Sequence, residues 1–400
     1  MRATQYHAAL DIRIEDIPTP SPTPKDNRVL VEVEWCGICG SDLMEYLVGP
    51  FTIPSSRTGP HPLTNSSIPV TLGHEFTGRI IPVPDSVPGR EACTGAQGNP
   101  LKLGQAVVID PWYFCSSCPP CSQSAANCCE KFGFLGLSGG GGGLSEVVAV
   151  NPEQVYVLPE PELGLTDGGV DLAAAALIEP LAVALHAVKL FLSTSPTQKG
   201  LSTVPVLVTG AGPVGVATIF VLRAFGAKTI LVSEPSRAKR EMVLQTGIAT
   251  EIFDPTAVDI PEQCKAVTGD GVGVVFDCAG IQAGFDAGCK SLRFRGIYVN
   301  IAVPKVPTTI PLGPFMKKEI TYKCSLAYDG GDFGDTVDAF VAGRFNGVER
   351  MITKRIQLED IVEHGFKDLV KPNDHIKVLA TPKHANISPN AHAHKFTVWP

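Results

Sequence analysis

Four closely spaced cysteines constrain this chain more than any other feature of its sequence. They are Cys115, Cys118, Cys121 and Cys129, in the spacing CxxCxxCx7C. Thiolates this close repel one another unless a cation lies between them, and Zn²⁺ binds four such ligands as a closed tetrahedron. A disulfide cluster is the alternative, but it needs an oxidising compartment, and residues 1–7 lack the apolar core of a signal peptide. The sequence therefore predicts a structural zinc lobe.

Length and charge narrow the class of protein. A chain of 400 residues, 44% of them hydrophobic, can bury two separate cores. The formal net charge of -7 argues against a nucleic-acid surface, which needs clustered Lys and Arg. The most apolar stretch, 173–192, carries Glu179, His186 and Lys189, which would be costly in a bilayer. We therefore expect a cytoplasmic enzyme with no nucleic-acid partner and no membrane span.

The first 180 residues have the pattern of a β-rich domain with long loops. Val31 and Val33 alternate with Glu32 and Glu34, which is the period of a half-buried strand. This pattern predicts a strand at 29–35, and similar segments predict strands at 105–110, 145–150 and 154–158. The glycine run at 139–143 is interpreted as a turn, because no helix follows it.

From about residue 181, short apolar segments alternate with helix-like stretches. This alternation is typical of parallel βαβ units covered by helices on both faces. The predicted strands are 204–209, 229–233, 272–277 and 296–301. We expect a doubly wound α/β domain over 181–326, after the β-rich domain at 1–180.

The remaining residues, 327–400, are too few for a third core. They contain a helix-like segment at 333–342 and a strand candidate at 376–380, which we expect to complete the first domain. The polar tail from residue 381 contains His384, His392 and His394 and shows no periodicity, so it is interpreted as a surface strap or a disordered end.

A glycine-rich loop predicts the cofactor site. Segment 204–209 runs directly into GAGPVG, and a helix-like segment follows, which is the context that supports a dinucleotide-binding loop. The first glycine permits a tight turn, the second lets a pyrophosphate approach the backbone, and the third lets helix and strand pack closely. The candidate cofactor-binding residues of this loop are Gly210, Gly212, Pro213, Val214 and Gly215.

An acidic residue ends the second strand of this unit. Glu234 is expected to accept hydrogen bonds from the adenosine ribose and to repel a 2'-phosphate, so NAD(H) is favoured over NADP(H). The nearby Arg237, Lys239 and Arg240 could soften this discrimination, and Lys239 is a candidate cofactor contact.

Three further residues have the make-up of a catalytic zinc site. Cys39, His74 and Glu179 offer a thiolate, an imidazole and a carboxylate, which leave a fourth position open for water or substrate. Each residue also has a structural interpretation. Cys39 could be a small buried hydrophobe, His74 a core histidine and Glu179 an acid at a helix N-terminus. Their combination with the cysteine lobe and the glycine loop favours the catalytic interpretation.

These motifs, in this order, resemble those of the zinc-dependent medium-chain alcohol dehydrogenases. Within that superfamily the chain is similar to the fungal and bacterial (R,R)-butanediol dehydrogenases and their sorbitol dehydrogenase relatives. The resemblance extends to about residue 380 and is carried by segments 35–50, 61–63, 70–78, 115–146, 175–188, 208–215 and 318–333. It implies a GroES-like catalytic domain interrupted by a Rossmann domain, with the active site in the cleft between them.

The resemblance also implies roles for individual residues. Cys39, His74 and Glu179 match the ligands of the catalytic zinc, and Glu75 can replace or alternate with Glu179. Asp42 matches the carboxylate that orients the zinc-bound histidine. In the cysteine lobe, the x7 spacing favours Cys129 over its neighbour Cys128 as the fourth ligand. Two Zn²⁺ per chain are expected.

One position departs from the family pattern. Ser41 matches the hydroxyl that begins the family's proton relay, but Met44 stands where the relay histidine is usual. A thioether cannot carry a proton.

The resemblance implies a homodimeric or homotetrameric enzyme that transfers hydride between NAD(H) and a secondary alcohol or vicinal diol, as in the conversion of 2,3-butanediol to acetoin. The alternatives are a biosynthetic enzyme acting on a larger molecule, a sorbitol- or xylitol-type polyol dehydrogenase, and a non-catalytic NAD-binding protein. The retained zinc ligands and Ser41 disfavour the last of these.

Overall fold

A computed structural model describes residues 1–21, 27–83, 93–159, 170–193, 200–304 and 306–383. The predicted strap or disordered tail lies outside these ranges from residue 384 onward, which includes its three histidines.

The first part of the chain is built from short strands. They are β1 (Arg2–Ala8), β2 (Asp11–Asp16), β3 (Val29–Gly37), β4 (Val70–Thr71), β5 (Glu75–Ile81), β6 (Ala106–Ile109), β7 (Trp112–Tyr113), β8 (Gly133–Phe134), β9 (Val147–Val150) and β10 (Val155–Val157). The helices of this part are α1 (Gly40–Val48), α2 (Pro119–Ser122), α3 (Leu172–Ala175) and α4 (Ile178–Leu192). Strands β2, β1 and β4 form a small sheet, and β7 pairs with β8.

The second part alternates strands with helices. Its strands are β11 (Val206–Thr209), β12 (Ile230–Ser233), β13 (Glu251–Phe253), β14 (Val272–Asp277), β15 (Leu292–Asn300) and β16 (Thr321–Cys324). Its helices are α5 (Pro213–Ala224), α6 (Arg237–Thr246), α7 (Ile260–Thr268), α8 (Gln282–Ser291) and α9 (Leu312–Lys318). All strands pair in parallel, in the order β13-β12-β11-β14-β15-β16.

This parallel sheet is covered on both faces. Val206 and Val208 face the core that contains α4 and α5, whereas Leu207 between them faces the core that contains α7 and α8. Alternate side chains of one strand therefore enter different cores, as expected for a doubly wound sheet. The order of the strands reverses between β11 and β14, which is where such sheets bind dinucleotides.

The last described segment returns to the first part. It contains α10 (Asp332–Val341), β17 (Ile352–Gln357), a π-helical turn (Ile361–Phe366), α11 (Lys367–Leu369) and β18 (Lys377–Thr381). Strand β18 pairs with β3 and β17, so it joins the large sheet of order β10-β6-β5-β3-β18-β17, to which β9 adds beside β3. The same segment also contributes Ile352 and Leu379 to the core around α4 and α5. The two parts of the chain therefore share buried surface.

Candidate active site

The four cysteines of the predicted zinc lobe converge. The sulfurs of Cys115, Cys118, Cys121 and Cys129 all lie within 4.8 Å of one another. The sulfur of Cys118 is 3.4 Å from that of Cys121 and 3.8 Å from that of Cys129, so these pairs are not disulfide-bonded. The backbone N–H groups of Cys115 and Lys131 both donate to Cys129 Sγ at 3.3 Å and hold this sulfur in place.

The neighbouring thiol does not join this cluster. Cys128 is exposed and lies outside the group of converging sulfurs. Cys128 ends a one-turn helix, Ala126–Cys128, and Cys129 follows it with an extended backbone. The donor set of four sulfurs fits a closed tetrahedral zinc site.

A second cluster lies where β3, α1 and β5 meet. Cys39 is the residue before α1, and His74 directly precedes β5, which pairs with β3. The ligand atoms of Cys39, His74 and Glu75 lie within 4.8 Å of one another. Burial, followed by the charge of Glu75, raises the pKa of the Cys39 thiol to about 12. A cation is what would make a thiolate favourable in this position, so the donor set fits zinc.

Asp42 lies behind the histidine. Its Oδ2 accepts a hydrogen bond from the Cys39 N–H at 2.9 Å, while its Oδ1 is 3.6 Å from His74 Nδ1. Asp42 Oδ1 and His74 Nδ1 are both buried, and neither has a hydrogen-bond partner among the described residues. A small rotation of the ring would let Nδ1–H donate to the carboxylate and leave Nε2 as the ligand atom, which is the usual support for a zinc-bound histidine.

Glu75 is held by a cation that the sequence motifs did not reveal. The Lys377 ammonium lies 2.7 Å from Glu75 Oε1 and 2.5 Å from Oε2, and it also donates to the Ile38 carbonyl at 3.3 Å. Both side chains of the pair are only 1% exposed. Burial lowers the pKa of Lys377, but Glu75 and Cys39 more than offset this, and the pKa is raised. The one sequence feature that could have indicated this ion pair is the presence of a lysine within the otherwise apolar strand candidate 376–380.

Glu179 lies in the first turn of α4 and is buried. It is not in the group of converging ligand atoms, unlike Glu75. Burial raises its pKa well above the usual range, His74 opposes this rise, and Glu75 and Cys39 add to it. Glu179 therefore lies in the electrostatic field of the same cluster.

Ser41 and Met44 lie on one face of α1. Ser41 Oγ is 3.3 Å from His74 Nε2, and Met44 follows three residues later, so the two side chains are neighbours on the helix. His61 is engaged elsewhere. The Leu63 N–H donates to its Nδ1 at 3.3 Å, and its Nε2 lies 3.0 Å from the Phe132 carbonyl. With both ring nitrogens bonded to backbone, His61 is a poor candidate for moving a proton.

The glycine loop has the predicted strand-turn-helix geometry. Gly210 has a φ of +88°, which favours glycine. Gly212 precedes α5, with Pro213 and Val214 in the first turn of the helix. A side chain at Gly215 would collide with the Gly210 carbonyl, so this position also requires glycine. The N-terminus of α5 offers unpaired N–H groups to a diphosphate.

Glu234 is fixed beside this loop. It is 6% exposed, and it accepts hydrogen bonds from the Ala211 N–H at 2.7 Å and the Ser236 N–H at 2.8 Å. Of the nearby cations, Arg237 pairs with Glu241 and Arg240 pairs with Asp254. Lys239 is the remaining cation of this group.

A cluster of cysteine, histidine and carboxylate ligands, a dinucleotide-binding loop and a separate four-cysteine lobe together define a zinc-dependent nicotinamide dehydrogenase. Comparison with known proteins agrees. Residues 25–160 match the alcohol dehydrogenase GroES-like domain, and residues 213–342 match the zinc-binding dehydrogenase family. The chain belongs to this zinc-binding alcohol dehydrogenase family and is an oxidoreductase. The predicted GroES-like plus Rossmann fold class is confirmed.

The proteins that are similar to this chain include dehydrogenases and reductases of diols and sugars. The chain is 34% identical over 385 residues to (R,R)-butanediol dehydrogenase of Neisseria gonorrhoeae, covering 96% of this chain and 99% of that protein. The crystal structure of 2R,3R-butanediol dehydrogenase from Bacillus subtilis matches with a TM-score of 0.80 and 34% identity, covering 96% and 99% of the two chains. The probable D-xylulose reductase A of Neosartorya fischeri is 32% identical over 377 residues, covering 92% and 93%.

No helix in the described ranges is both long and apolar enough to cross a membrane.

Proposed function

We propose that this protein is a cytoplasmic, NAD-dependent dehydrogenase that interconverts a vicinal diol, or another secondary alcohol, with its ketone. The observation that carries the proposal is the cluster of Cys39, His74 and a buried carboxylate, with the Ser41 hydroxyl 3.3 Å from the histidine. The names of the butanediol dehydrogenases support 2,3-butanediol and acetoin as substrates. The similarity to a xylulose reductase supports a polyol as the second candidate.

The roles of the side chains follow from this cluster. Bound zinc would supply a Lewis acid that polarises the substrate oxygen and lowers the pKa of the alcohol. We assign Cys39, His74 and Glu179 as its ligands, with Glu75 as the alternate for Glu179, because both Glu75 oxygens are already bonded to Lys377. Asp42 orients the histidine, and Ser41 accepts the proton that the alcohol releases.

A substrate panel tests this function. Zinc-loaded protein is mixed with NADH and acetoin, diacetyl or xylulose, and with NAD⁺ and 2,3-butanediol, sorbitol or xylitol. Turnover fastest with the four-carbon substrates supports the diol dehydrogenase. Turnover confined to the sugars and sugar alcohols would identify a polyol dehydrogenase, and no turnover of any substrate contradicts both.

The protein is expected to bind two zinc ions per chain, because two separate groups of ligand atoms converge, the four cysteines of the lobe and the group of Cys39, His74 and Glu75. The variant Cys118→Ser should retain one zinc by elemental analysis, and its Tm should fall by several degrees because a closed zinc site contributes folding free energy. Its Kd for NADH should be unchanged at temperatures where it is folded. Cys128→Ser is the matched control, since this exposed neighbour lies outside the cluster, and it should retain both ions. A parent protein with fewer than two zinc ions contradicts the assignment.

Cofactor choice is expected to depend on Glu234. The variant Glu234→Ser removes a carboxylate that would repel a 2'-phosphate, while Lys239 remains to attract one. The ratio of kcat/KM for NAD⁺ over NADP⁺ should fall by at least about tenfold, which is roughly 1.4 kcal/mol. Glu251→Gln removes an exposed carboxylate at the start of strand β13 and should leave the ratio unchanged. An unchanged ratio in the Glu234 variant would mean that this carboxylate does not read the ribose.

We also propose a homodimer or homotetramer. Strand β16 is one of the two edge strands of the parallel sheet, with β13 at the other edge. Large apolar side chains are exposed in the segments preceding it, namely Val303, Val306, Leu312 and Met316. An open edge with exposed apolar groups favours pairing with a second copy about a two-fold axis. Light scattering of the purified protein measures the state, and a monomer at micromolar concentration contradicts it.

A further inference from the structure

Asp277 is a buried carboxylate at the end of the central strand β14. It is 2% exposed. Its Oδ1 accepts hydrogen bonds from Thr209 Oγ1 at 2.8 Å, the Ala279 N–H at 3.0 Å and the Gly280 N–H at 3.2 Å. Its Oδ2 accepts from the Tyr298 hydroxyl at 2.8 Å. All four partners are neutral donors, so the side chain is the acceptor in each of these contacts.

These contacts fix the turn that supports the glycine loop. Asp277 Oδ1 holds the N–H groups of Ala279 and Gly280. A side chain at Gly210 would lie 3.3 Å from Ala279, so the first glycine of the loop packs directly on the turn that Asp277 holds. Thr209, the residue before Gly210, bonds the same carboxylate oxygen. Asp277 therefore connects the ends of strands β11 and β14.

The same residue also holds the turn after β15. The backbone carbonyl of Asp277 accepts from the N–H groups of Ile301 at 2.9 Å and Ala302 at 3.0 Å. Gly280 packs so closely on Ala302 that a side chain there would lie 2.9 Å from it. The carboxylate and the carbonyl of one residue thus set both turns, 278–280 and 301–302, that lie at the carboxyl ends of these parallel strands.

This edge of the sheet is where the cofactor is expected to lie. The strand order reverses between β11 and β14, and open α/β sheets bind dinucleotides outside the carboxyl ends of the strands at such a reversal. The glycine loop directs the diphosphate to the N-terminus of α5. Strand β12, with Glu234 beyond its end, lies on one side of the loop and is expected to contact the adenosine. Asp277 lies on the other side, where the nicotinamide would extend.

We propose that Asp277 is a positioning residue for the nicotinamide half of the cofactor, and that its negative charge favours the oxidised cofactor over the reduced one. The nicotinamide ring is positively charged in NAD⁺ and neutral in NADH. A carboxylate in a water-poor site attracts the charged ring more strongly than it would in water. This inference rests on the proposed binding of NAD(H) across the Gly210 loop.

The test compares three ligands on the zinc-loaded protein by calorimetry: NAD⁺, NADH and ADP-ribose, which lacks the nicotinamide. The variant Asp277→Asn removes the charge but can keep every contact, because its carbonyl can accept from the same three donors and its amide can donate to the Tyr298 oxygen. Its Kd for NAD⁺ should rise at least about threefold, while those for NADH and ADP-ribose stay within about twofold of the parent. Asp277→Ser provides the same comparison if the first variant does not fold.

Two control variants separate charge from local packing. Tyr298→Phe removes one contact and keeps the carboxylate charge, so it should leave the ratio of the NAD⁺ and NADH affinities unchanged. Asp259→Asn alters the carboxylate that caps α7, after the edge strand β13, and should also leave the ratio unchanged. A ratio unchanged in Asp277→Asn, or a parallel loss of ADP-ribose binding, overturns the inference alone. A parent protein that binds none of the three ligands overturns the proposed function together with it.

Discussion

Replacing Lys377 by methionine is expected to lower the free energy of unfolding by about 3–5 kcal/mol, the typical loss when one partner of a buried ion pair is removed. Lys377 and Glu75 are each 1% exposed, and the ammonium contacts both carboxylate oxygens. Methionine fills a similar volume but leaves the Glu75 carboxylate buried among Asp42 and Glu179 without its cation. The change is measured as the shift in denaturant midpoint of the zinc-loaded protein.

The double variant Lys377→Met, Glu75→Gln provides the decisive control. With both charges removed, most of the lost stability should return, because the cost comes from the unpaired charge rather than from the absent lysine. Lys383 lies just beyond the same strand, and it pairs with Glu32 and Glu34 at the surface. The variant Lys383→Met removes this lysine. Its effect should stay below about 1 kcal/mol, as for other exposed pairs. A Lys377 variant as stable as the parent would falsify the view that this pair stabilises the site.

Much of the fold could be predicted from periodicity because the side-chain pattern is local. The strand predicted at 29–35 is observed as Val29–Gly37, and the one at 272–277 as Val272–Asp277. The strand predicted at 145–150 begins only at Val147. Ser145 instead bonds the Gly142 carbonyl through its hydroxyl and so belongs to the preceding turn.

Strand β1 shows why some elements were missed. Four consecutive residues of it, Ala3 to Tyr6, are buried, and two of these are polar. Gln5 is buried because its amide donates to Thr71 Oγ1 across the sheet at 2.6 Å. The burial of Gln5 is therefore stabilised by a residue far away in sequence. No local pattern of polar and apolar residues can reveal such a partner.

The residues of the candidate site also fall into two groups, those that a local sequence motif reveals and those that only the folded structure reveals. Cys39, His74 and the four cysteines of the lobe could be recognised because each lies in a short motif of characteristic ligand types. Lys377 could not be assigned its role, because it meets Glu75 only after the chain returns and β18 pairs with β3. For Lys377 and Asp277, the sequence shows only a charged residue within or at the end of an apolar strand. Such a residue needs a polar partner, but the sequence does not identify that partner.

Alcohol oxidation is expected to be slow near neutral pH and to rise toward alkaline pH, because Met44 interrupts the usual proton relay. The proton that reaches Ser41 has no titratable group at position 44 to receive it, and His61 is bonded to backbone through both ring nitrogens. The proton must leave by way of the ribose or water. A side chain at position 44 lies one helical turn from Ser41 and is partly exposed, so it can connect the hydroxyl to solvent.

The variant Met44→His should therefore raise the rate of alcohol oxidation at neutral pH by roughly a hundredfold, the usual contribution of a positioned acid or base. An imidazole accepts a proton only when neutral, so the gain should appear as pH rises through about 6.5 and should vanish below it. Ketone reduction should change less, since it depends first on polarisation of the carbonyl. Met44→Gln is the matched control, because it adds polarity of similar size without a titratable group. A histidine variant whose oxidation rate and pH profile both match the parent, or a glutamine variant with an equal gain, shows that position 44 does not limit proton release.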